Sequence, residues 1–134
     1  MFRKIHVFRI KPNADLVAGI IGYCREQGIT SGVILGLIGS VQNARLNFLK
    51  ELPGKYVTET YFGPLEIASG QGSVALKGEE LLLHIHVQLS GPTAGYGGHL
   101  VEARVFSTAE VVIGELDFQL RRYADDYTGL NELA

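Results

Sequence analysis

The chain opens on alternation. In FRKIHVFRIK, Phe2 to Lys11, Ile5 and Val7 recur at period two, the signature of a strand. Pro12-Asn13 ends it. Leu16, Val17, Ile20, Ile21 and Cys24 then recur at helical spacing. This predicts an amphipathic helix over Ala14 to Gln27. Asn13 or Asp15 is placed to cap its N-terminus, and Gly28 its C-terminus.

Beyond Ile29 the pattern changes. SGVILGLIGSVQNARLNFL is rich in β-branched residues and interrupted by Gly32, Gly36 and Gly39, where bulges, bends or close backbone approach are expected. Pro53-Gly54 marks a turn, Tyr56 to Phe62 a short strand, and Gly63-Pro64 a break before Leu65 to Ala68 resumes. Gly70 to Leu76 reads as a further strand and Lys77 to Glu80 as a turn. Two long strands follow, Leu81 to Ser90 and Gly98 to Leu116. The polar tail LRRYADDYTGLNEL is expected to wrap the surface. Many strands and one early helix predict an α+β fold, a mostly antiparallel sheet with one N-terminal amphipathic helix, in a single domain over residues 1–134.

Composition narrows the function classes. Apolar residues make up 46% and charged residues 19% of 134, which argues against disorder. A net charge of −2 is no electrostatic footprint for nucleic acid or an anionic membrane. Cys24 is alone, so no intrachain disulfide forms and a reducing compartment is expected. The charged N-terminus lacks the apolar stretch of a signal peptide, and no apolar run approaches the ~20 residues of a membrane span. A cytoplasmic protein is expected.

The chemistry concentrates in LLLHIHVQLSGPTAGYGGHLVEARV, Leu81 to Val105, which holds three of the four histidines. Side chains alternate across a strand, so His84 and His86 share one face and Leu83, Ile85 and Val87 the other. Same-face neighbours lie about 7 Å apart, close enough for two imidazoles to lean toward one ion. If the hairpin loop is the four residues Gly91 to Ala94, a common length that nothing in the sequence fixes, Ser90 falls opposite Gly95 and His86 opposite His99. A one-residue slip sends His99 to the other face. Three neutral imidazoles suit zinc, and also iron, nickel or copper. Gly97-Gly98 removes bulk beside His99. A lone strand histidine is more often a polar-face or hydrogen-bonded residue, and His6, which has no partner spacing, reads as structural.

Other candidates are weaker. Cys24 falls on the apolar helix face, as a small hydrophobe does. Ser31, Ser40 and Ser69 lack the setting of a nucleophile elbow, and no helix pattern follows Gly70-Gln71-Gly72 to make a phosphate loop. Glu66, Glu102, Glu110 and Asp117 are candidate acids or fourth ligands, each with the alternative of a solvated strand residue. The catalytic residues, if any, are unknown.

The segments TSGVILGLIGSVQNARL, GPLEIASGQGSV, LHIHVQLS and YGGHLVEARVFSTAEVVIGEL, in that order and spacing, resemble the PPC domain, conserved between plants and prokaryotes. The tail LRRYADDYTGLNEL is similar to that of its prokaryotic members, so the resemblance runs from about Phe2 to Leu133. It implies a compact α+β domain that assembles as a homotrimer. Plant members carry AT-hooks, Arg-Gly-Arg-Pro segments that enter the minor groove of DNA. Arg121-Arg122 is not followed by Gly-Arg-Pro. The match of LHIHV and GGHL to prokaryotic members implies a metal site at His84, His86 and His99.

Three functions follow as expectations. One is a homotrimeric module with DNA-associated or regulatory duty. Another is a small metal-dependent enzyme or ligand sensor built on a three-histidine site, with zinc as the expected ion. The last is an oligomer whose metal is purely structural.

Overall fold

The computed structural model describes residues 1–134. Its elements run β1 (Phe2–Ile10), α1 (Leu16–Gln27), β2 (Gly32–Glu51), β3 (Lys55–Lys77), β4 (Glu80–Ser90), β5 (Gly95–Leu116), β6 (Arg122–Ala124) and β7 (Asn131–Leu133). The main sheet has the order β1-β5-β2-β3-β4, with every neighbouring pair antiparallel. Strand β4 also pairs with the start of β5, so β5, β2, β3 and β4 close on themselves. This is the α+β, mostly antiparallel architecture that the hydrophobic pattern predicts. No helix is long and apolar enough to cross a membrane.

The helix starts at Leu16, two residues later than Ala14, because Asp15 is its cap. One Asp15 carboxylate oxygen accepts the Ala18 N–H at 2.8 Å and the other accepts the Ala103 N–H at 3.0 Å. A single side chain therefore ends the helix and ties it to β5. Gly28, at φ 70, closes the C-terminus in the left-handed conformation. Leu16, Ile20 and Cys24 face inward and join Val105, Val111 and Ile113 in one apolar cluster.

One expectation is corrected. Gly63-Pro64 does not end a strand. Strand β3 runs unbroken through the segments expected as separate strands, Tyr56 to Phe62, Leu65 to Ala68 and Gly70 to Leu76. Between Val41↔Leu65 and Asn43↔Phe62 it carries one residue more than β2, and Pro64, which has no N–H, falls inside that bulge. The tail lies on the surface, as its polarity predicts, and has structure of its own. Strands β6 and β7 pair as a small hairpin, Leu76 and Arg121 form an isolated bridge, and Arg122 is buried.

Candidate metal centre

The site is set by strand parity. On β4, Ile85 and Val87 are buried in the core, which turns His84 and His86 to the opposite face. On β3, Ser73 pairs with His84 and Gln71 with His86. The β4–β5 hairpin pairs Ser90 with Gly95 and His86 with His99, the register that places the third imidazole on the same face. His99 also pairs with Asn47 of β2, so it stands where three strands meet.

The three rings converge. Centroids lie 5.1 Å apart for His84–His86, 5.1 Å for His84–His99 and 5.6 Å for His86–His99. One ring nitrogen from each lies within 4.8 Å of the other two, and the Nε2 atoms of His84 and His86 are 3.2 Å apart. The Gly97-Gly98 pair serves its neighbours more than the imidazoles. A Cβ at Gly98 would lie 3.1 Å from the Phe48 ring, and one at Gly97 would overlap the Gln88 amide.

The cluster forms one wall of a cavity of about 480 Å³. Arg122, Asn131 and Glu132 extend its polar side, and Leu49, Tyr56, Leu82, Leu83 and Leu130 make an apolar side. Burial holds the His99 pKa down at about 4, helped by the charges of His84, His86 and Arg122. Burial also lowers the His84 pKa, with Arg122 and then His86 contributing. Both rings are therefore neutral near pH 7, the form that can ligate.

Arg122 had no signal in the sequence, where it reads as one arginine of a polar tail. It is 7% exposed. Its Nη1 donates to the Asn131 carbonyl at 3.0 Å and its Nη2 to Ser73 Oγ at 3.0 Å. Nη2 also points at His84 Nδ1 from 3.4 Å, and the buried Nε–H has no partner.

The other candidates stay outside the cluster. His6 is buried between the Tyr23 hydroxyl at 3.2 Å and Glu115 Oε1 at 2.8 Å, a bonded structural histidine. Glu66, Glu102, Glu110 and Asp117 are exposed and line no part of the cavity, where Glu132 is the acid instead. Cys24 is fully buried and its thiol is pushed up to about 11 by desolvation, so it is no nucleophile. Ser31 donates to the Phe118 carbonyl at 2.6 Å and Ser40 bonds Ser107 at 2.7 Å, as structural hydroxyls do.

Comparison with known proteins follows the same lines. The family model described as the Plants and Prokaryotes Conserved (PCC) domain matches residues 2–117. Among solved structures, the metal-containing protein AF0104 from Archaeoglobus fulgidus superposes with a TM-score of 0.91 at 32% identity, covering 100% of this chain and 95% of that one. A candidate DNA-binding protein from Bacteroides thetaiotaomicron superposes with a TM-score of 0.91 at 24% identity, over 100% of this chain and 96% of that one, and shares the fold. A curated relative, the bifunctional protein GlmU of Synechococcus sp. (strain JA-3-3Ab), is 27% identical over 133 residues. That match takes in 97% of this chain but only 20% of the relative's length.

Proposed function

The chain belongs to the Plants and Prokaryotes Conserved domain family, and from that premise we propose that it is a metal-binding module in which His84, His86 and His99 together hold one divalent transition metal. The observation that carries this reading is the convergence of three imidazoles from two strands on one point. One donor pair already stands at the spacing an ion needs, and the third nitrogen lies within 4.8 Å of both. A tetrahedral ion with metal–nitrogen bonds of about 2.0–2.1 Å separates its ligand nitrogens by about 3.3 Å. The Nε2 atoms of His84 and His86 stand 3.2 Å apart. Zinc is the ion we assign first to three neutral imidazoles, a set that also suits iron, nickel or copper. Likeness to a metal-containing archaeal protein supports a bound metal.

Such an ion, when bound, supplies Lewis acidity to whatever occupies its remaining position. The rest belongs to the chain. The β4–β5 hairpin orients the imidazoles, desolvation keeps His84 and His99 neutral, and the leucine wall sets the shape of the cavity. A metal beside a cavity of this size favours ligand sensing or catalysis over a purely structural ion. Metal content by mass spectrometry, on protein purified without an affinity tag and loaded with zinc, tests the centre. One zinc per chain is expected, and a metal-free product after loading refutes the reading.

Assembly as a homotrimer is part of the proposal. Ile5 and Val7 of β1 and Leu35 and Ile38 of β2 are exposed, on strands that flank β5. A second copy would cover such a surface. Light scattering should give three times the 14.6 kDa chain mass, and a monomer at micromolar concentration counts against it. Direct DNA recognition is the weaker reading. The net charge is −2, and in the basic N-terminal strand Arg9 is already bonded to Thr108 and Arg3 lies 3.8 Å from Glu115. Submicromolar, steeply salt-dependent binding to duplex DNA would reverse that ranking. A cytoplasmic setting agrees with the lone buried thiol.

A further inference from the structure

Arg122 presents an unresolved charge. Its guanidinium is buried yet forms no ion pair with any carboxylate of the chain. Of five N–H donors, three meet acceptors, at Asn131, Ser73 and His84, and the buried Nε–H meets none. A buried cation without a counter-charge, and a buried donor without an acceptor, are both costly. Glu132 lines the same cavity without reaching the guanidinium.

The contact with His84 sharpens the point. A guanidinium can only donate, so His84 Nδ1 must accept there, which leaves the ring proton on Nε2. That proton can then be donated to His86 Nε2, giving a consistent chain from Arg122 through His84 to His86. Were His84 to hold a metal through Nε2, its ring proton would have to sit on Nδ1, facing the Arg122 N–H, donor against donor. Metal-bound histidines usually give that proton to a carboxylate or carbonyl. Here none is supplied.

We propose that the cavity between Arg122 and the three histidines binds the carboxylate of a small organic acid, which accepts from Arg122 and from His84 Nδ1–H together. This rests on the metal reading for its second donor and on Arg122 alone for its first. On Arg122 the groups left for it are the second Nη1 N–H and the Nη2 N–H directed at His84, since Nε is sealed from the cavity, and a charged donor to a carboxylate makes a strong hydrogen bond. The apolar wall of Leu49, Tyr56, Leu82, Leu83 and Leu130 fits a short hydrocarbon body better than a fully polar ion such as phosphate. Arg122 lies outside residues 2–117, so the family match leaves it untouched.

The test is linkage. Zinc affinity is measured by competition with a chromophoric chelator, with and without butyrate, in wild type, Arg122→Gln and Arg122→Lys. Butyrate is expected to tighten zinc binding at least about tenfold in wild type, partly in Arg122→Lys and not in Arg122→Gln. Affinity should rise about fourfold per methylene from acetate to butyrate. Equal coupling in Arg122→Gln, or none in wild type, overturns the proposal. Phosphate that couples as strongly as butyrate overturns the organic-acid assignment. If zinc binds nowhere, the metal reading falls by itself. Calorimetry of butyrate on metal-free wild type against Arg122→Lys then decides this inference, since Arg122-dependent binding upholds it and no binding refutes it. Circular dichroism identifies a variant that fails to fold, and Arg122→Lys, which keeps the charge, then carries the comparison.

Discussion

His86 of β4 and His99 of β5 stand directly opposite each other across the hairpin, with ring centroids 5.6 Å apart. His84, two residues along β4, closes the triangle. The site is therefore a property of register, and anything that shifts the hairpin by one residue removes it.

Removing one imidazole should cost more than removing a supporting residue, for which losses of 10–100-fold in metal affinity are usual. His86→Ala and His99→Ala are expected to lower zinc affinity by about 100-fold or more. His6→Ala should leave it within about threefold, because His6 is bonded to Tyr23 and Glu115 outside the cluster. Metal content by mass spectrometry decides. Loss of zinc in His6→Ala with retention in His86→Ala would contradict the assignment.

The metal-free protein should lose stability as pH falls. His99 is held down to about 4 in the fold, first by desolvation and then by His84, His86 and Arg122, against an ordinary value of about 6.5. Between those values the unfolded chain binds a proton that the native state does not. Stability contributed by the neutral ring is thus complete above about pH 6.5 and is lost as pH drops toward about 4. Urea midpoints measured across that range should decline in wild type and decline less in His99→Gln. Parallel curves would show that His99 is not responsible.

Asp15→Ala should destabilise the chain by about 2 kcal/mol. It deletes the helix cap, usually worth about 1 kcal/mol, and strips the Ala103 N–H of its acceptor. Asp15→Asn keeps an oxygen and should cost less than half as much. Guanidinium unfolding with unchanged slope measures both, and equal costs for the two variants would rule out the capping account.

Gly72 links packing to the site. A Cβ there would overlap the His84 carbonyl across the β3–β4 ladder. Gly72→Ala should therefore cost about 1–3 kcal/mol and weaken zinc binding by displacing His84. Gly22 in α1 has nothing within 4 Å of a built Cβ, so Gly22→Ala should stabilise by about 0.5–1 kcal/mol and leave zinc binding unchanged. Thermal melts and chelator competition on the two variants separate the local clash from a general glycine effect.

Much of this was legible from local rules. Period-two alternation places His84 and His86 on one face and Ile85 and Val87 on the other, because the pleat leaves no other option. The spacing of Leu16, Ile20 and Cys24 predicts the helix, and Asp15 is one of two residues the sequence offers as its cap. A four-residue loop would set His86 against His99, but the sequence did not fix that length, and only the observed β4–β5 pairing decides it. What tertiary structure alone decided depends on residues distant in sequence. Strand β3 continues through Pro64 because β2 supplies a partner on both sides of the bulge. His6 is buried because Tyr23 and Glu115 meet it from other elements. Arg122 is one arginine among several in a polar tail until the β6–β7 hairpin folds against β3 and sets its guanidinium between Ser73 and His84, 49 and 38 residues away. Local periodicity carries no information on such separations, since the charge of Arg122 gains its meaning only from what long-range packing buries beside it.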